Sequence, residues 1–559
     1  MIQTRIVSSL EKVFLEDRID RFAPLERISV LRGERLSFQL LHTVTRDEAD
    51  AEAVLQNLHL PLSLEGELAK YATVRQVQSV AVNMTISPKY GHDDNYLRTT
   101  PGLYPDLLAP LYYGGDVLLA YGTLLSAWVE LELPEELAAG EYTLTCRIMN
   151  GSEVASASAL QISVIDAVLP HQELTLTQWF HADCLANYYN VEVWSERHWE
   201  IVESFVRTAW HGGINLLLTP VFTPPLDTAI GGERRTTQLV GVEKRGLEYA
   251  FDFSLLDRWI EMCDRCGIRY FEISHLFTQW GATHAPKIMA TVDGEYKKLF
   301  GWETDATGEE YTCFLRTFLQ AFLSHMKARG DDRRCFFHIS DEPNLTQLAD
   351  YRAAKAVVAD LLEGYPIMDA LSSYEFYETG AVEHPIPSSN HIEPFLANGV
   401  PDLWTYYCVG QAIDVSNRFI AMPAWRTRCI GMQLYKYNIK GFLQWGYNFY
   451  NNRHSGDPVN PYCDASAGHS FPAGDAYSVY PAADGTAMES TRFVVFHEAL
   501  QDLRAMKLCE RYYGHDAVEA ELERVFGGEI TFKTCTYSAE MTLRIREAVN
   551  EMIRRAVEK

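Results

Sequence analysis

The chain has 559 residues, 47% of them hydrophobic, and a formal net charge of −26; this length points to two or three domains rather than one. So acidic a surface repels phosphate backbones, which excludes nucleic acid as a partner. No apolar run reaches the ~18 residues of a membrane span, and the start, MIQTRIVSSLEKVFLEDRID, carries charges throughout and no apolar signal core, so a cytoplasmic protein with no membrane partner is expected. The eleven cysteines are then expected as reduced thiols. Cys263 and Cys266 form a lone CxxC near the end of a helical pattern, which reads as a helix face rather than a metal or redox site.

Residues 1–168 read as an N-terminal β-sandwich. ISVLRGERLSFQLLHTV alternates apolar and polar positions and is broken at Gly33, as a hairpin turn would break it. Val129, Leu131 and Leu133, a turn from Pro134 to Gly140, then Tyr142, Leu144, Cys146 and Ile148 repeat the theme. This is the pattern of half-buried antiparallel strands.

From 169 to 512 the texture changes. Strand-like LTLTQWFH precedes a helical SERHWEIVESFVRTAWHGG, capped at Ser195 and stopped by glycine. Strand INLLLTPVF, helix SLLDRWIEMCDRCG, strand IRYFEIS, helix YTCFLRTFLQAFLSHMKARG, strand RRCFFHIS and helix LTQLADYRAAKAVVADLLEG follow. The alternation continues through PIMDALS, DLWTYYCV, WRTRCIGMQLYKYN and IKGFLQWGYNF. About eight such units with apolar strands predict a (β/α)8 TIM-like catalytic barrel. An open dinucleotide-binding sheet would want a glycine-rich turn after its first strand, and QWFHADC has none. Residues 513–559 are expected as a C-terminal extension, mainly helical, that packs on the rest.

The fourth predicted strand ends in HISDEPN, residues 338–344. Barrel enzymes carry their active sites at such strand ends. Asn344 can cap the following helix by itself, which leaves Asp341 and Glu342 for chemistry. Glycoside cleavage needs an acid for the leaving oxygen and a second group for the oxocarbenium-like centre. Two neighbours on one strand do not readily flank a sugar as nucleophile and acid. They suit substrate assistance, in which the 2-acetamido group attacks its own anomeric carbon, one carboxylate supports the acetamido nitrogen and the other is the acid. Trp404, Tyr406 and Tyr407 are candidates for the floor of a sugar subsite, with core packing as the alternative. Trp445, Tyr447 and Asn448 sit at another strand end, and Asn448 suits a sugar hydroxyl. His181 and Asp183 follow the first barrel strand and are candidates for the nonreducing sugar. His338 and Ser340 are expected to support the carboxylates, and Arg492, Glu498 and Asp502 to dock the last helix. Neither metal nor cofactor is expected. His275, His284 and His338 lack HxH or HExxH spacing, and no P-loop, dinucleotide fingerprint or Gly-x-Ser-x-Gly elbow is present.

HISDEPN resembles the catalytic strand of glycoside hydrolase family 123 and of the wider DUF4091-type group sharing its catalytic domain. DLWTYYCVG, MPAWRTRCIGMQLYKYNIKGFLQWGYNFY and AYSVYPAADGTAMESTRFVVFHEALQD are similar to that domain in order and spacing. GERLSFQL and LYPDLLAPL resemble its sandwich, so the likeness covers most of the chain and thins after ~510. Two departures stand out: Trp425 lies near a position where the family commonly has an acid, and Ala476 follows Gly474 and Asp475 where a Gly-Asp-Gly is usual. The resemblance implies a retaining β-N-acetylgalactosaminidase or hexosaminidase working through an oxazolinium intermediate. Glu342 would be the general acid/base and Asp341 the acetamido support. The partner would be an oligosaccharide or glycoconjugate with a terminal N-acetylhexosamine; a homo-oligomer is compatible. Two other readings stay open. One is a conventional retaining glycosidase with Glu342 as acid/base and Glu375, Glu378 or Glu393 as a distant nucleophile. The other is a non-catalytic carbohydrate-binding protein.

Overall fold

The computed structural model describes residues 2–45 and 58–558. Ten strands form two five-stranded sheets. One runs β1 (Ile2–Ser8), β3 (Arg35–Val44), β8 (Leu125–Glu132), β5 (Ala72–Val82), β6 (Gly102–Pro110). The other runs β2 (Arg27–Arg32), β10 (Glu153–Val168), β9 (Gly140–Asn150), β4 (Leu58–Glu65), β7 (Asp116–Leu119). Alternate residues of a strand face opposite ways, and one such set, with Phe38, Val129, Leu131, Leu144, Cys146 and Ile148, forms a single core.

The hairpin expected at Gly33 is corrected. Gly33 does take a positive φ of 74°, but β2 and β3 belong to different sheets. β2 pairs in parallel with β10, and β3 pairs antiparallel with β1 and β8. Glu34 closes this corner by accepting the Leu31 N–H at 2.8 Å. A period of two is the same for a hairpin and for a crossing between sheets, so sequence alternation does not distinguish them.

Beyond residue 174 short parallel strands alternate with helices. β11 (Thr175–Gln178), β22 (Gly441–Gln444) and β21 (Trp404–Tyr406) form one parallel sheet. β12 (Leu216–Thr219), β15 (Tyr270–Ile273) and β18 (Cys335–Phe336) form a second, and β19 (Met368–Ala370) pairs with β20 (His384–Ile386). Single contacts span the gaps between them: Asn215 N–H to the Leu176 carbonyl at 3.1 Å, and isolated parallel bridges Phe337–Ile367 and Ser388–Tyr406. The sheet is therefore interrupted where the sequence predicts an unbroken barrel. Beyond β18 the Ile339 N–H is taken by the Asp369 side chain of the neighbouring β19. An antiparallel sheet of β13 (Gly241–Arg245), β14 (Glu248–Asp252), β16 (Ile288–Val292) and β17 (Glu295–Phe300) is inserted, and β23 (Val479–Pro481) pairs with β24 (Ala487–Glu489).

The helices are α1 (Ala182–Tyr188), α2 (Glu196–His211), α3 (Ser254–Cys266), α4 (Glu309–Arg329), α5 (Leu348–Val358), the short α6 (Glu375–Glu378), α7 (Glu393–Ala397), α8 (Ala424–Arg428) and α9 (Ile430–Lys436), then α10 (Thr491–Tyr513), α11 (His515–Phe526) and α12 (Ala539–Val557). α2 shows why they form. The Ser195 side chain accepts from the His198 N–H at its start, which satisfies an otherwise unpaired donor. Trp199, Val202, Phe205, Val206 and Ala209 then recur at helical spacing and are all buried. Burial of each large side chain in such a face contributes about 1.5–3 kcal/mol.

The sandwich and the α/β part are tied by buried charge. Arg492 of α10 forms a two-pronged pair with Asp106 of β6 (2.8 and 2.9 Å), and Tyr480 adds a hydrogen bond to the same carboxylate. Glu498 and Asp502 pair with Arg428, and Arg546 of α12 reaches Asp502 and Glu34. Thus α10 is docked from the sandwich side by Arg492 and from α12 and α8 by the other two acids. All eleven cysteines are free thiols, with Cys263 and Cys266 buried on α3. Among the described residues no helix is long and apolar enough to cross a membrane.

Candidate active site

Asp341 and Glu342 lie five and six residues beyond the end of β18 and line one cavity of about 340 Å3. Consecutive residues of an extended strand point to opposite faces, so two neighbours reach one cavity only if the backbone departs from extension. It does: Glu342 has φ +44°. That conformation costs a non-glycine residue about 1–3 kcal/mol and persists where the surroundings impose it. The imposing contacts are the Glu342 N–H to the Ala370 carbonyl (3.0 Å) and the Trp280 N–H to the Asp341 carbonyl (3.0 Å). Asn344 and Gln347 cap each other's backbone at the next turn, so neither carboxylate is used as a helix cap.

The two acids have different environments. Glu342 reaches the cavity with an exposed side chain and accepts the Tyr406 hydroxyl on Oε1 at 2.6 Å. Burial and the neighbouring Glu342 push the phenol proton loss of Tyr406 far upward, so it stays a donor. Asp341 lies deeper. Burial first, and then the charge of Glu342, raise its carboxyl well above the ordinary range; charged His338 opposes this, while Asp369 and Asp227 add to it.

Behind the pair lies a buried ionic stack. His338 is held between Glu272 (Nε2 to Oε1, 2.7 Å) and Asp369 (Nδ1 to Oδ1, 3.2 Å). Burial disfavours the imidazolium, but the two carboxylates outweigh it and raise His338 to about 10. Glu272 also accepts from Trp179 Nε1 (2.7 Å) and from the Thr177 hydroxyl, and Asp369 from the Tyr351 hydroxyl and the Ile339 N–H. The neutral ring of His275 stacks on His338 at 4.3 Å. His275, His338 and Asp369 lie close enough to share a cation, but both nitrogens of His338 are already committed to carboxylates, so the cluster reads as an ion-paired support.

The residues expected at the site divide into two groups. Asp341, Glu342, His181, Tyr406 and Trp445 line the cavity. Asp183, Trp404, Tyr407, Tyr447 and Asn448 do not. Asp183 is buried in a two-pronged pair with Arg234 (2.6 and 2.9 Å), whose Nη1 holds the Leu226 carbonyl and so fixes the loop that presents Asp227. Asn448 clamps the backbone of His181 through its N–H (2.8 Å) and carbonyl (3.2 Å). Trp404 packs on Phe336, Tyr407 on Phe442, and Tyr447 on Phe180 with its hydroxyl on the Phe205 carbonyl. Glu375, Glu378 and Glu393, weighed as distant nucleophiles, are not at the cavity; Glu393 pairs with Lys533 on the surface.

Sequence reasoning missed several lining residues: Trp179, Asp227, Gln279, Trp280, Arg453 and His454. Trp179 was findable, since it lies two residues before His181 on the same strand end. Lys89 comes from the sandwich and no local pattern marks it. Asp475, kept from the family's glycine-flanked loop, is buried and accepts Trp445 Nε1 at 3.1 Å, which sets that indole against the cavity. Burial raises the Asp475 carboxyl to about 7.

Tyr406→Phe removes one hydrogen bond to a charged group. Turnover should fall about ten- to hundredfold, with KM little changed, as steady-state kinetics would read.

The cleft is lined by indole rings and holds two carboxylates on one turn. The model of the glycoside hydrolase 123 catalytic domain matches residues 179–509, and the chain belongs to glycoside hydrolase family 123. A solved family 123 glycoside hydrolase from Clostridium perfringens, described in connection with glycolipid glycan hydrolysis, superimposes with a TM-score of 0.74 at 16% identity, over 100% of this chain and 99% of that one. A putative glycoside hydrolase from Bacteroides vulgatus gives 0.32 at 10% identity, over 87% and 78% of the two chains. No protein of curated function matches the chain. The chain is therefore a glycosidase, with a mixed β and α/β fold.

Proposed function

We propose that this protein is a retaining β-N-acetylhexosaminidase, with N-acetylgalactosamine as the favoured sugar, acting by substrate assistance. The observation that carries the reading is the adjacent placement of Asp341 and Glu342 in one cavity with different environments. Glu342 protonates the glycosidic oxygen as the acetamido oxygen attacks the anomeric carbon. Asp341 accepts the acetamido N–H proton as the oxazoline ring closes. A carboxylate raised above its ordinary range is the stronger base for that step. Glu342, now the base, takes a proton from the water that opens the ring while Asp341 returns its proton to the acetamido nitrogen, with net retention. His181, Tyr406, Trp179, Trp280 and Trp445 are the proposed sugar contacts, and Asp183 and Asn448 position them. A cavity at the small end of ligand sites suits one terminal sugar. The eight parallel strands are read as a distorted (β/α)8 barrel, with residues 1–168, 169–512 and 513–559 as its sandwich, catalytic and C-terminal parts.

The pH profile follows. The productive form shares one proton between the pair, on Glu342 with Asp341 ionised, so kcat/KM is lost as pH falls far enough to protonate both. Asp227→Asn removes a like charge and should move this acid limb to lower pH. An acid limb that stays put would detach Asp341 from the profile.

The deciding assay is nitrophenol release from p-nitrophenyl β-glycosides of GalNAc, GlcNAc, galactose and glucose. Turnover confined to the acetamido sugars, inhibited by a thiazoline mimic of the oxazoline, is expected. Efficient turnover of the plain hexosides would instead favour a separate nucleophile, for which Asp227 is the acid at the cavity.

A further inference from the structure

A second cleft, of about 480 Å3, lies between the sandwich and the N-terminal ends of β11, β12 and β15. It shares no residue with the catalytic cavity, which gathers at the opposite ends of the same strands. Its walls come from β3 (Arg35), the end of α2 (Trp210, His211), the turn before β15 (Arg269) and α10 (His497, Arg504).

The charge here is of the opposite sign to that of the chain, which carries −26 overall. The two acids on the wall are already engaged: Glu34 with Arg546 (2.8 Å) and Glu132 with His211 (2.7 Å). Arg504 and Arg269 have no carboxylate partner among the described residues. Arg504 donates only to the Pro170 carbonyl, and the Arg269 guanidinium rests over the Trp210 ring at 5.8 Å. Arg35 is 7% exposed and pairs with Glu130 through Nε (3.8 Å), while its Nη2 has no acceptor. Arg35 Nη1 even faces the His211 ring at 2.6 Å. Burial works against a charge on His211, yet its bonds to Glu132 and Glu489 raise it to about 9. Burial and the cations Arg35, Arg504 and His211 hold His497 neutral. Arg35 and His211 thus have carboxylates beside them, whereas the guanidinium groups of Arg269 and Arg504 are left for an anion.

We propose that this cleft binds a small phosphate monoester, with the dianion on Arg269, Arg504 and Nη2 of Arg35, and the organic part against the exposed Trp210. Guanidinium forks match phosphate oxygens in pairs, and Trp210, 37% exposed, offers a flat apolar face. The ligand would join the sandwich to α10 and thereby stabilise the interface between them.

The test is calorimetric titration of the full chain with glucose 6-phosphate at constant ionic strength, with glucose and inorganic phosphate as references. Saturable binding of glucose 6-phosphate is expected, tighter than inorganic phosphate, with none for glucose. Affinity should fall about tenfold or more in Arg504→Gln and in Arg269→Gln, and stay unchanged in Asp341→Asn. Arg269 is exposed at its turn, so its variant folds even if the α10 change disturbs packing. Absence of saturable heat, affinity untouched in both arginine variants, or affinity lost in Asp341→Asn would each overturn the proposal. Equal affinity for inorganic phosphate would overturn the ester as ligand.

Discussion

Glu342→Gln will lower kcat/KM by about 10²–10⁴ on N-acetylhexosaminides with sugar leaving groups, the range a positioned general acid supplies. The loss on p-nitrophenyl glycosides will be smaller, because that leaving group departs without a proton. Asp341→Asn will lose activity on both alike, since its proposed role is in ring closure rather than in leaving-group departure. The contrast separates the two carboxylates in one experiment. Equal losses for Glu342→Gln on every leaving group would mean that it is not the acid. Full activity in either variant would sink substrate assistance altogether. Tyr406 donates to Glu342 Oε1, so the glutamine variant keeps one partner and its loss reports chemistry rather than a collapsed turn.

Asp369→Asn will destabilise the fold by about 3–5 kcal/mol, the usual cost of breaking a buried pair from one side. Asp369 and Glu272 hold His338 charged at zero exposure. His338 is raised to about 10 from 6.5, so the stability it contributes is fully present below pH 6.5 and lost as pH rises through about 10. With Asp369 neutralised the folded value drops, and the fall in stability moves to lower pH. Calorimetric unfolding of the two proteins from pH 6 to 10 measures both effects. A variant that unfolds with wild-type Tm at every pH would show that the stack does not hold this part of the chain.

Local pattern made much of the chain legible. Alternation marked the strands of the sandwich core, and helical spacing with a Ser195 cap marked α2. The order of motifs around HISDEPN pointed to the family that the domain match shows. These features rest on neighbours a few residues apart, which sequence period and capping chemistry encode directly.

Other features depend on where distant segments meet. The alternation around Gly33 did not say that β2 and β3 part into different sheets. Aromatic strand ends could not be sorted into cavity and core: Tyr406 faces Glu342, while its neighbour Tyr407 packs on Phe442. Asp183 and Asn448 carry polar groups suited to a sugar, yet Arg234 and the His181 backbone take them.

By itself, the sequence determined the alternating strands of the sandwich core, many of the helices, the neighbouring carboxylates beyond β18 and the family. Only the tertiary structure decided which side chains enter the cavity, how Lys89 of the sandwich reaches it and why Asp341 differs from Glu342. The reason is physical: burial and charge act through space, and His338, Asp369, Asp227 and Tyr406 come to the pair from separate parts of the chain.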